Sequence, residues 1–307
     1  MIASVTEIIV HLLLLLVLPP FLLGVINKTK AFFAGRNGPP VLQMYYDIAK
    51  LLRKGLVISN TTTWVFVAGP LIGIIVPLLA GLLIPFGSVP AVLSFTGDFL
   101  LFAYLFALSR FFTTSAALDT GSAFEGMGSA REVTFAVLTE PAMFFVFLVL
   151  TRISSTLTLS GMLSMGTNPL YGIGSMAPLA MIVIGLFIVL LAENSRIPVD
   201  DPNTHLELTM IHEVMVLDHS GPLFGLIEYG ASIKLLVLGS LLLNIIMPLH
   251  SLSLGLGALL WVAGLVGISV IIGVIESIMA RLKMPRLPAL LIASILLCGS
   301  ALIILVR

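Results

Sequence analysis

Residues 64–86 read WVFVAGPLIGIIVPLLAGLLIPF, an apolar stretch without a charged residue. About 20 predominantly apolar residues are enough for an α-helix to cross the hydrocarbon core of a bilayer. The stretch is therefore predicted to form a transmembrane helix. Its prolines do not argue against a helix, because neighbouring helices and water can satisfy the backbone groups that a proline leaves without a partner.

Seven further segments have the same character, and the chain is predicted to be an all-α, polytopic membrane protein of about eight transmembrane helices. Of its 307 residues, 59% are hydrophobic and 10% are charged, whereas soluble domains average about 25% charged residues. We expect residues 1–307 to form a single transmembrane domain. The predicted spans are residues 4–26, 64–86, 98–117, 133–150, 174–192, 227–248, 255–280 and 287–306.

The lysines and arginines lie mostly on one side of this predicted topology. Cytoplasmic loops carry an excess of these residues, so the basic loops are predicted to be cytoplasmic and both termini extracytoplasmic. The opposite side has only Arg152 and Arg307. The formal net charge is zero, which gives no indication of nucleic-acid binding. The predicted cytoplasmic loops are about residues 27–63, 118–132, 193–226 and 281–286.

Within the first of these loops, residues 41–54 (VLQMYYDIAKLLRK) are too short and too charged to cross a membrane. Apolar residues recur at helical spacing on one face, and polar residues fall on the other. This pattern predicts an interfacial amphipathic helix on the cytoplasmic membrane surface. The helix would serve as a surface anchor, or as the rim of a pocket or docking surface. Its apolar face would contain Val41, Met44, Tyr45, Ile48, Leu51 and Leu52.

Several ionisable residues fall within the predicted spans, where charges are costly and each one is a functional candidate. A structural network of buried ion pairs is one interpretation. The other is a proton or conformational relay, in which movement of a cation changes the proton affinity of a nearby carboxylate. Arg110 and Lys234 are the available counter-charges. The set consists of Arg110, Glu140, Glu193, Glu228, Lys234 and Glu276.

The longest charged loop, residues 193–222, is predicted to contain a short helix from Pro202 to about Leu217, with Asp201 as its N-cap. Its acidic and histidine side chains suit proton uptake or the docking of another subunit. Three of the histidines recur at seven-residue spacing, but the zinc-protease pattern is absent, and we predict no metal site.

The chain lacks the residues that a redox centre of its own would need. It contains one cysteine, Cys298, within an apolar run, whereas an iron–sulfur cluster needs several cysteine ligands. The glycine-rich segment 121–128 does not follow a strand, so a nucleotide site is not predicted either. Any redox centres are therefore expected in partner chains.

Four groups of residues carry a resemblance to a known family. They are residues 36–39 (RNGP) with 42–43 (LQ) and 47–51 (DIAKL), Arg131 with Glu140, residues 193–200 (ENSRIPVD), and residues 220–221 (SG) with 228–229 (EY). Together they resemble subunit 1 of respiratory complex I, and more closely its relatives in membrane-bound energy-converting nickel–iron hydrogenases and formate hydrogenlyase. Residues 118–122 (LDTGS) and 200–208 (DDPNTHLEL) are similar to the hydrogenase branch, whereas the quinone-reducing enzymes carry several glutamates after residue 200.

The resemblance implies a non-catalytic subunit of an oxidoreductase complex in a prokaryotic cytoplasmic membrane. In that family, the subunit joins an electron-transferring arm to antiporter-like membrane subunits and carries no metal or cofactor itself. The partners it implies are hydrogenase-like large and small subunits and an iron–sulfur subunit, which carry iron–sulfur clusters and a nickel–iron centre.

Three hypotheses about function follow. In the first, the chain couples a redox arm to proton or sodium translocation through a charged path formed by Glu140, Glu193, Glu207, Glu213, Asp218, Glu228, Lys234, Arg110 and Arg131. In the second, it is the quinone-binding subunit of a complex I-like NADH/quinone oxidoreductase. The third makes it a passive membrane anchor. The residues expected to dock the arm or to line a quinone-like cavity are Arg36, Gln43, Asp47, Lys50, Arg196 and Asp200.

Overall fold

A computed structural model describes residues 4–164, 176–201, 210–250 and 252–306 of the chain. Within these ranges, eight of ten α-helices are long and apolar enough to cross a membrane, which confirms the predicted fold class. The helices are α1 (Val5–Phe33), α2 (Gln43–Leu52), α3 (Trp64–Leu83), α4 (Asp98–Asp119), α5 (Ala123–Ser154), α6 (Leu159–Leu163), α7 (Met176–Glu193), α8 (Gly221–Ile246), α9 (Leu254–Ile278) and α10 (Leu287–Val306).

The connections between the long helices meet at two ends of the bundle. At one end, the backbone N–H of Thr63 donates to Asp119 Oδ2 at 2.6 Å. At the other, the Ser88 hydroxyl donates to the carbonyl oxygen of Leu254 at 3.1 Å. The first end is named the basic face, because most of the loop lysines and arginines lie there. The basic face comprises residues 34–63, 120–122, 194–220 and 279–286.

Helix α8 is the central helix of the bundle, in contact with α1, α2, α3, α7 and α9. Most of its residues are buried. Its buried hydroxyls bond within the helix, as when Ser240 donates to the carbonyl oxygen of Leu236 at 2.7 Å. This bond removes the cost of an unpaired polar group in apolar surroundings. A charged side chain on α8, such as Lys234, is consequently held inside the protein.

Small residues allow the helices to approach each other closely, as is usual in membrane proteins. A Cβ atom on Gly230 of α8 would lie 2.6 Å from the carbonyl oxygen of Gly73 in α3. A Cβ atom on Gly69 would lie 2.7 Å from the Cβ of Ala116 in α4. Helices α3, α4 and α8 therefore pack with their backbones nearly in contact.

The predicted loop 118–132 is wrong, because α4 extends to Asp119 and α5 already begins at Ala123. Only Gly121, with a positive φ of 71°, forms the turn. The later glycines allow close packing, since a Cβ atom on Gly128 would lie 2.9 Å from Cγ of Met215. Their spacing in the sequence does not distinguish these two uses of glycine.

Two other helices extend beyond their predicted ends toward the basic face. Helix α1 continues to Phe33 instead of residue 26, and α8 begins at Gly221 instead of residue 227. In α1, the ammonium group of Lys30 lies 2.9 Å from Glu276 Oε2 of α9. A paired lysine near a helix end does not terminate the helix, because its long apolar stem reaches to the polar boundary.

The predicted amphipathic helix is confirmed as α2, which packs against α8. A Cβ atom on Gly225 of α8 would lie 3.1 Å from Leu51 Cβ, and the Tyr45 hydroxyl donates to the carbonyl oxygen of Val17 in α1. The predicted apolar face is half-buried with the exception of Leu52, which is 50% exposed. Helix α2 is thus fixed to two transmembrane helices.

The loop between α7 and α8 differs from the helix predicted there. Its first part, residues 202–209, lies outside the described residues. In the described part, a short 3₁₀ helix, Glu213–Val216, replaces the end of the predicted α-helix. Asp200 provides the physical reason, because its Oδ2 accepts hydrogen bonds from the N–H groups of Ile211 at 3.0 Å and His212 at 3.1 Å. These two donors bond to a carboxylate instead of to helix carbonyls.

The contact between α1 and α9 predicts different effects for two glycines on α9. A Cβ atom on Gly273 would lie 2.7 Å from Thr29 Cβ, whereas a Cβ atom on Gly267 would meet nothing within 4 Å. We expect Gly273→Ala to destabilise the protein by about 1–3 kcal/mol through overpacking. Gly267→Ala should be neutral or stabilising by up to about 1 kcal/mol, because alanine favours the helix.

The single cysteine, Cys298, is fully buried, so its reaction with a thiol dye during heating of the detergent-solubilised protein reports unfolding. Equal melting temperatures for the two variants would contradict the close packing of α9 on α1.

Candidate functional site

Arg110 lies at the centre of a buried group of ion pairs. Its side chain is 10% exposed, and its guanidinium group contacts three carboxylates on two other helices. Nε lies 3.2 Å from Glu132 Oε1, Nη2 lies 2.5 Å from Glu193 Oε1, and Nη1 contacts Glu140. A planar guanidinium offers five donors in a fixed arrangement, and one side chain can therefore hold several carboxylates.

Glu193 is shared between two cations. Its Oε1 contacts Arg110 and accepts a hydrogen bond from the Thr139 hydroxyl at 2.9 Å, while its Oε2 lies 2.7 Å from Lys234 Nζ. The carboxylate is only 9% exposed. Glu193 thereby joins α4, α5, α7 and α8 at one point. A buried carboxylate is tolerated because its charge is paired and its oxygens are hydrogen-bonded.

Glu132 extends the group of ion pairs into the loop before α8. Its Oε2 lies 3.0 Å from His212 Nε2, and His212 Nδ1 lies 3.7 Å from Asp200 Oδ2. The other carboxylate oxygen of Asp200 lies 3.1 Å from Arg281 Nη2. An unbroken series of contacts therefore runs from Lys234, midway along α8, to the basic face.

The charges at the centre of this series balance. Burial lowers the pKa of His212, but the nearby carboxylates of Glu132 and Asp200 outweigh this effect and raise it to about 10. The imidazolium ion is therefore charged at neutral pH. The core cluster, as named from here on, consists of the cations Arg110, Lys234 and His212 and the carboxylates Glu132, Glu140 and Glu193.

A cavity of about 160 Å³ adjoins the core cluster between α3, α4, α8 and the loop before α8. Asn194 Oδ1 and His219 Nδ1 are buried in its wall without a hydrogen-bond partner among the described residues. A polar cavity of this volume can hold several ordered water molecules, which would satisfy such atoms. Its principal polar groups are Glu193, Asn194, Glu213, His219, Glu228 and Lys234.

Glu213, in the 3₁₀ helix that borders the cavity, has an unusual proton affinity. Burial raises the pKa of Glu213 to about 7, and the negative charges of Glu228 and Asp200 contribute to the increase. A carboxyl group with this pKa exchanges its proton at physiological pH, as general acid–base groups do.

The residues expected to dock an arm or to line a quinone-like cavity separate into different places. Arg36 and Lys50 are exposed at the basic face. On α2, Gln43 Nε2 donates to Asp47 Oδ1 at 2.9 Å, and Asp47 is close enough to Glu228 for electrostatic repulsion. Helix α2 therefore presents its amide–carboxylate pair toward the cavity and its lysine toward solvent.

The other two residues of that set, Arg196 and Asp200, lie inside the protein. Arg196 Nη1 is 3.5 Å from Glu276 Oε1 of α9. Asp200 is fully buried and bonds to the backbone of the loop before α8, so it is not part of an exposed docking surface. Its geometry is that of a structural anchor for this loop.

The remaining residues of the predicted path lie outside the core cluster. Arg131 Nη1 donates to the carbonyl oxygen of Met210 at 2.7 Å. Asp218 is exposed at the basic face, and its N–H donates to Glu125 at 2.9 Å. Glu228 lines the cavity, where Arg196 attracts it electrostatically. The predicted position of Glu207 lies outside the described residues.

Two members of the core cluster, Glu132 and His212, were not predicted as members of the charged path. Glu132 fell at the end of a predicted loop, and His212 was expected only to make polar contacts in a surface helix. A signal for Glu132 is present in the sequence, because residues at i, i+7 and i+8 share one face of a helix. Glu132, Thr139 and Glu140 have this spacing once α5 begins at Ala123.

The ion pairs of His212 predict a pH-dependent contribution to stability. Because its pKa is about 10 in the folded protein and about 6.5 in an unfolded chain, the contribution is complete below about pH 6.5 and is lost as the pH rises through about 10. His212→Gln should cost about 3 kcal/mol at neutral pH, as for removal of one partner from a buried pair.

The fluorescence of the two tryptophans can follow thermal unfolding of both proteins from pH 6.5 to 10.5. The control is His250→Gln, because burial lowers the pKa of His250 and its contribution should not decline over this range. A constant difference between the wild type and His212→Gln up to pH 10.5 would exclude a charged imidazolium.

Several known proteins are similar to this chain in sequence. Formate hydrogenlyase subunit 4 of Escherichia coli is 29% identical over 293 residues, which cover 93% of each chain. Hydrogenase-4 component C of the same species is 31% identical over 239 residues, covering 76% of this chain and 73% of that one. A membrane-complex relative from Syntrophotalea carbinolica, a component of its NADH-quinone oxidoreductase, is 29% identical over 216 residues, or 66% and 62% of the two chains.

The fold is similar to that of a chain in the membrane-bound sulfane sulfur reductase, described as an archaeal respiratory membrane complex. The TM-score is 0.81 at 19% identity, and the match covers 97% of this chain and all of the other. Residues 6–307 match the family described as NADH dehydrogenase. The chain therefore belongs to the NADH dehydrogenase family, which includes complex I subunit 1, as its motifs indicate.

Proposed function

We propose that the chain is the membrane subunit of a hydrogenase-type redox complex, in which it couples electron transfer in a peripheral arm to the translocation of protons or sodium ions. The relatives named formate hydrogenlyase subunit 4 and hydrogenase-4 component C support this class of complex. In the proposal, the chain catalyses no reaction itself. Iron–sulfur clusters and a nickel–iron centre belong to the arm, and antiporter-like membrane subunits are further partners.

The observation that carries the proposal is the sharing of Glu193 between Arg110 and Lys234. Since the core cluster contains three cations and three carboxylates, displacement of either cation leaves a carboxylate without a counter-charge. The proton affinity of that carboxylate then increases. A movement of side chains at the basic face can in this way cause protonation inside the membrane.

The energies involved are of comparable size. A pKa shift of one unit corresponds to about 1.4 kcal/mol, and moving one charge through 100 mV of membrane potential costs about 2.3 kcal/mol. A shift of roughly two units at one buried carboxylate therefore matches the work of moving one proton. Weakening one ion pair of a buried group is sufficient for such a shift.

The basic face supports the docking of an arm. Arg36, Lys50 and Asp218 are exposed there. The neighbouring Val57 is 73% exposed, and the adjacent Leu56 and Ile58 also have much of their surface accessible. An exposed apolar patch surrounded by charged residues is typical of a protein–protein interface.

The alternative function, quinone binding, is favoured by the similarity to a component of an NADH-quinone oxidoreductase. The cavity volume of about 160 Å³ supports the first proposal instead, since pockets for small organic molecules usually have about 300–1,000 Å³. Quinone that co-purifies with the complex, or inhibition by a quinone-site blocker, would support the alternative.

Glu140→Gln provides the sharpest test of coupling, because Glu140 is the most exposed carboxylate of the core cluster, at 40%, and its loss should disturb the fold least. In the complete complex in proteoliposomes, we expect ion uptake to fall by about tenfold, as after loss of a proton-transfer group. The rate of donor oxidation should stay within about twofold of wild type.

The matched control is Asp98→Asn, which alters a fully buried carboxylate outside the core cluster that accepts the N–H of Leu159 at 2.5 Å. This variant should translocate ions normally once assembled. Equal losses of ion uptake and donor oxidation in Glu140→Gln, with assembly intact, would contradict the coupling proposal. Unchanged values of both would favour a passive anchor.

Glu213→Gln tests whether the cavity takes up protons. Because burial raises the pKa of Glu213 to about 7, this group is protonated below pH 7 and is a carboxylate above it. Ion uptake by the wild type should therefore increase with a midpoint near pH 7, and Glu213→Gln should show a flat profile from pH 6 to 8. A midpoint retained in the variant would assign it to another group.

A further inference from the structure

Residues 216–220, in the loop before α8, separate two spaces at the basic face. On the inner side, Val216 and His219 line the cavity that adjoins the core cluster. On the outer side, Leu217, Asp218 and Ser220 line an open groove of about 410 Å³. This segment is therefore the wall between the cavity and the surface.

The wall contains a stacked pair of rings. Phe66 of α3 borders the groove, and His219 borders the cavity. Their ring centroids lie 4.1 Å apart with an angle of 17° between the planes. Phe66 is 1% exposed and His219 is 8% exposed. The pair closes the wall tightly enough to exclude water between the two spaces.

Hydrogen bonding determines which nitrogen of His219 carries the proton. Nε2 lies 3.3 Å from the carbonyl oxygen of Phe66. A carbonyl oxygen only accepts hydrogen bonds, so Nε2 is the donor and Nδ1 of the neutral ring carries the lone pair. Nδ1 is buried and has no hydrogen-bond partner among the described residues. It is a vacant proton acceptor beside a polar cavity.

The charges around His219 form a gradient from the surface to the core cluster. Asp218 precedes it on the groove side, and Glu125 of α5 bonds to the backbone there. Helix α3, which carries Phe66, contributes no ionisable residue. Burial lowers the pKa of His219, although the Phe66 carbonyl and Asp218 partly offset this, and the resting ring is neutral. On the cavity side, the facing groups are His212, Glu213, Glu193, Glu228 and Lys234.

We propose that His219 transfers protons from the groove to the cavity and that its stack with Phe66 is the partition that these protons cross. The inference rests on the proposed function and identifies the place where protons reach the core cluster. A static wall would need neither an ionisable ring nor an unsatisfied acceptor, and a phenylalanine at position 219 would complete the same stack.

The transfer takes place in two balanced steps. In the first, an N–H bond forms at Nδ1 while the O–H bond of the Asp218 carboxyl group, or of a hydronium ion in the groove, breaks. In the second, the N–H bond at Nδ1 breaks as an O–H bond forms on water in the cavity. The ring carries one positive charge between the steps and returns to its neutral form, with Nε2 still bonded to Phe66.

His219→Gln tests the transfer, because a glutamine fills similar space and can still donate to the Phe66 carbonyl but cannot carry a proton. In the complete complex in proteoliposomes, proton uptake should fall by about tenfold, with donor oxidation within about twofold of wild type. The matched control is His250→Gln, since His250 makes the same kind of contact with the Leu163 carbonyl, at 3.1 Å. That variant should behave as wild type.

His219→Ala provides a second readout that a structural role would not affect. Imidazole added to the medium should restore proton uptake in His219→Ala and leave His219→Gln unchanged. Normal uptake in His219→Gln, or no effect of imidazole on His219→Ala, would overturn the inference. If Glu140→Gln uncouples the complex while His219→Gln does not, only this inference fails; if Glu140→Gln pumps normally, the proposed function itself fails.

The partition can be tested without measuring coupling. In a Cys298→Ser background, a cysteine introduced by Thr113→Cys would line the cavity. A water-soluble thiol reagent applied at the basic face should label it faster after Phe66→Ala than in the parent. Equal rates would show that the stack does not separate the cavity from the groove.

Discussion

The need to pair a buried arginine determines how the central part of this bundle is assembled. Arg110 is held inside a membrane protein, where an isolated charge would cost several kcal/mol. Its three carboxylates come from α5 and α7, and Glu193 in turn requires Lys234 of α8. Four helices must therefore be in place before any of these charges is satisfied. Loss of one partner leaves the others uncompensated, a property that suits a component that changes between discrete states.

Much of the fold could be predicted from the sequence, because lipid imposes a simple rule on length and polarity. All eight long helices were predicted, as was the amphipathic α2. The errors occurred where one residue type has two physical uses. Gly128 packs against Met215 inside a helix, although glycine also forms turns, and Lys30 ends no helix because Glu276 pairs with it.

The site was harder to predict, because it depends on contacts between residues distant in sequence. Arg110, Glu140, Glu193 and Lys234 were candidates on the ground that charges in spans are rare. His212 could not be predicted as a buried cation, since its charge depends on Glu132, some 80 positions earlier, and on Asp200. The unexpected start of α5 and the irregular loop before α8 are what bring these groups together.

The length of α5 has a mechanical consequence. Its 32 residues make a rod of about 48 Å at 1.5 Å per residue, whereas the hydrocarbon core is about 30 Å thick. One rigid body thus carries Glu125 and Gly128, which touch the loop at the surface, together with Glu140 in the interior. A tilt imposed on the protruding turns would swing the inner carboxylate like the short arm of a lever.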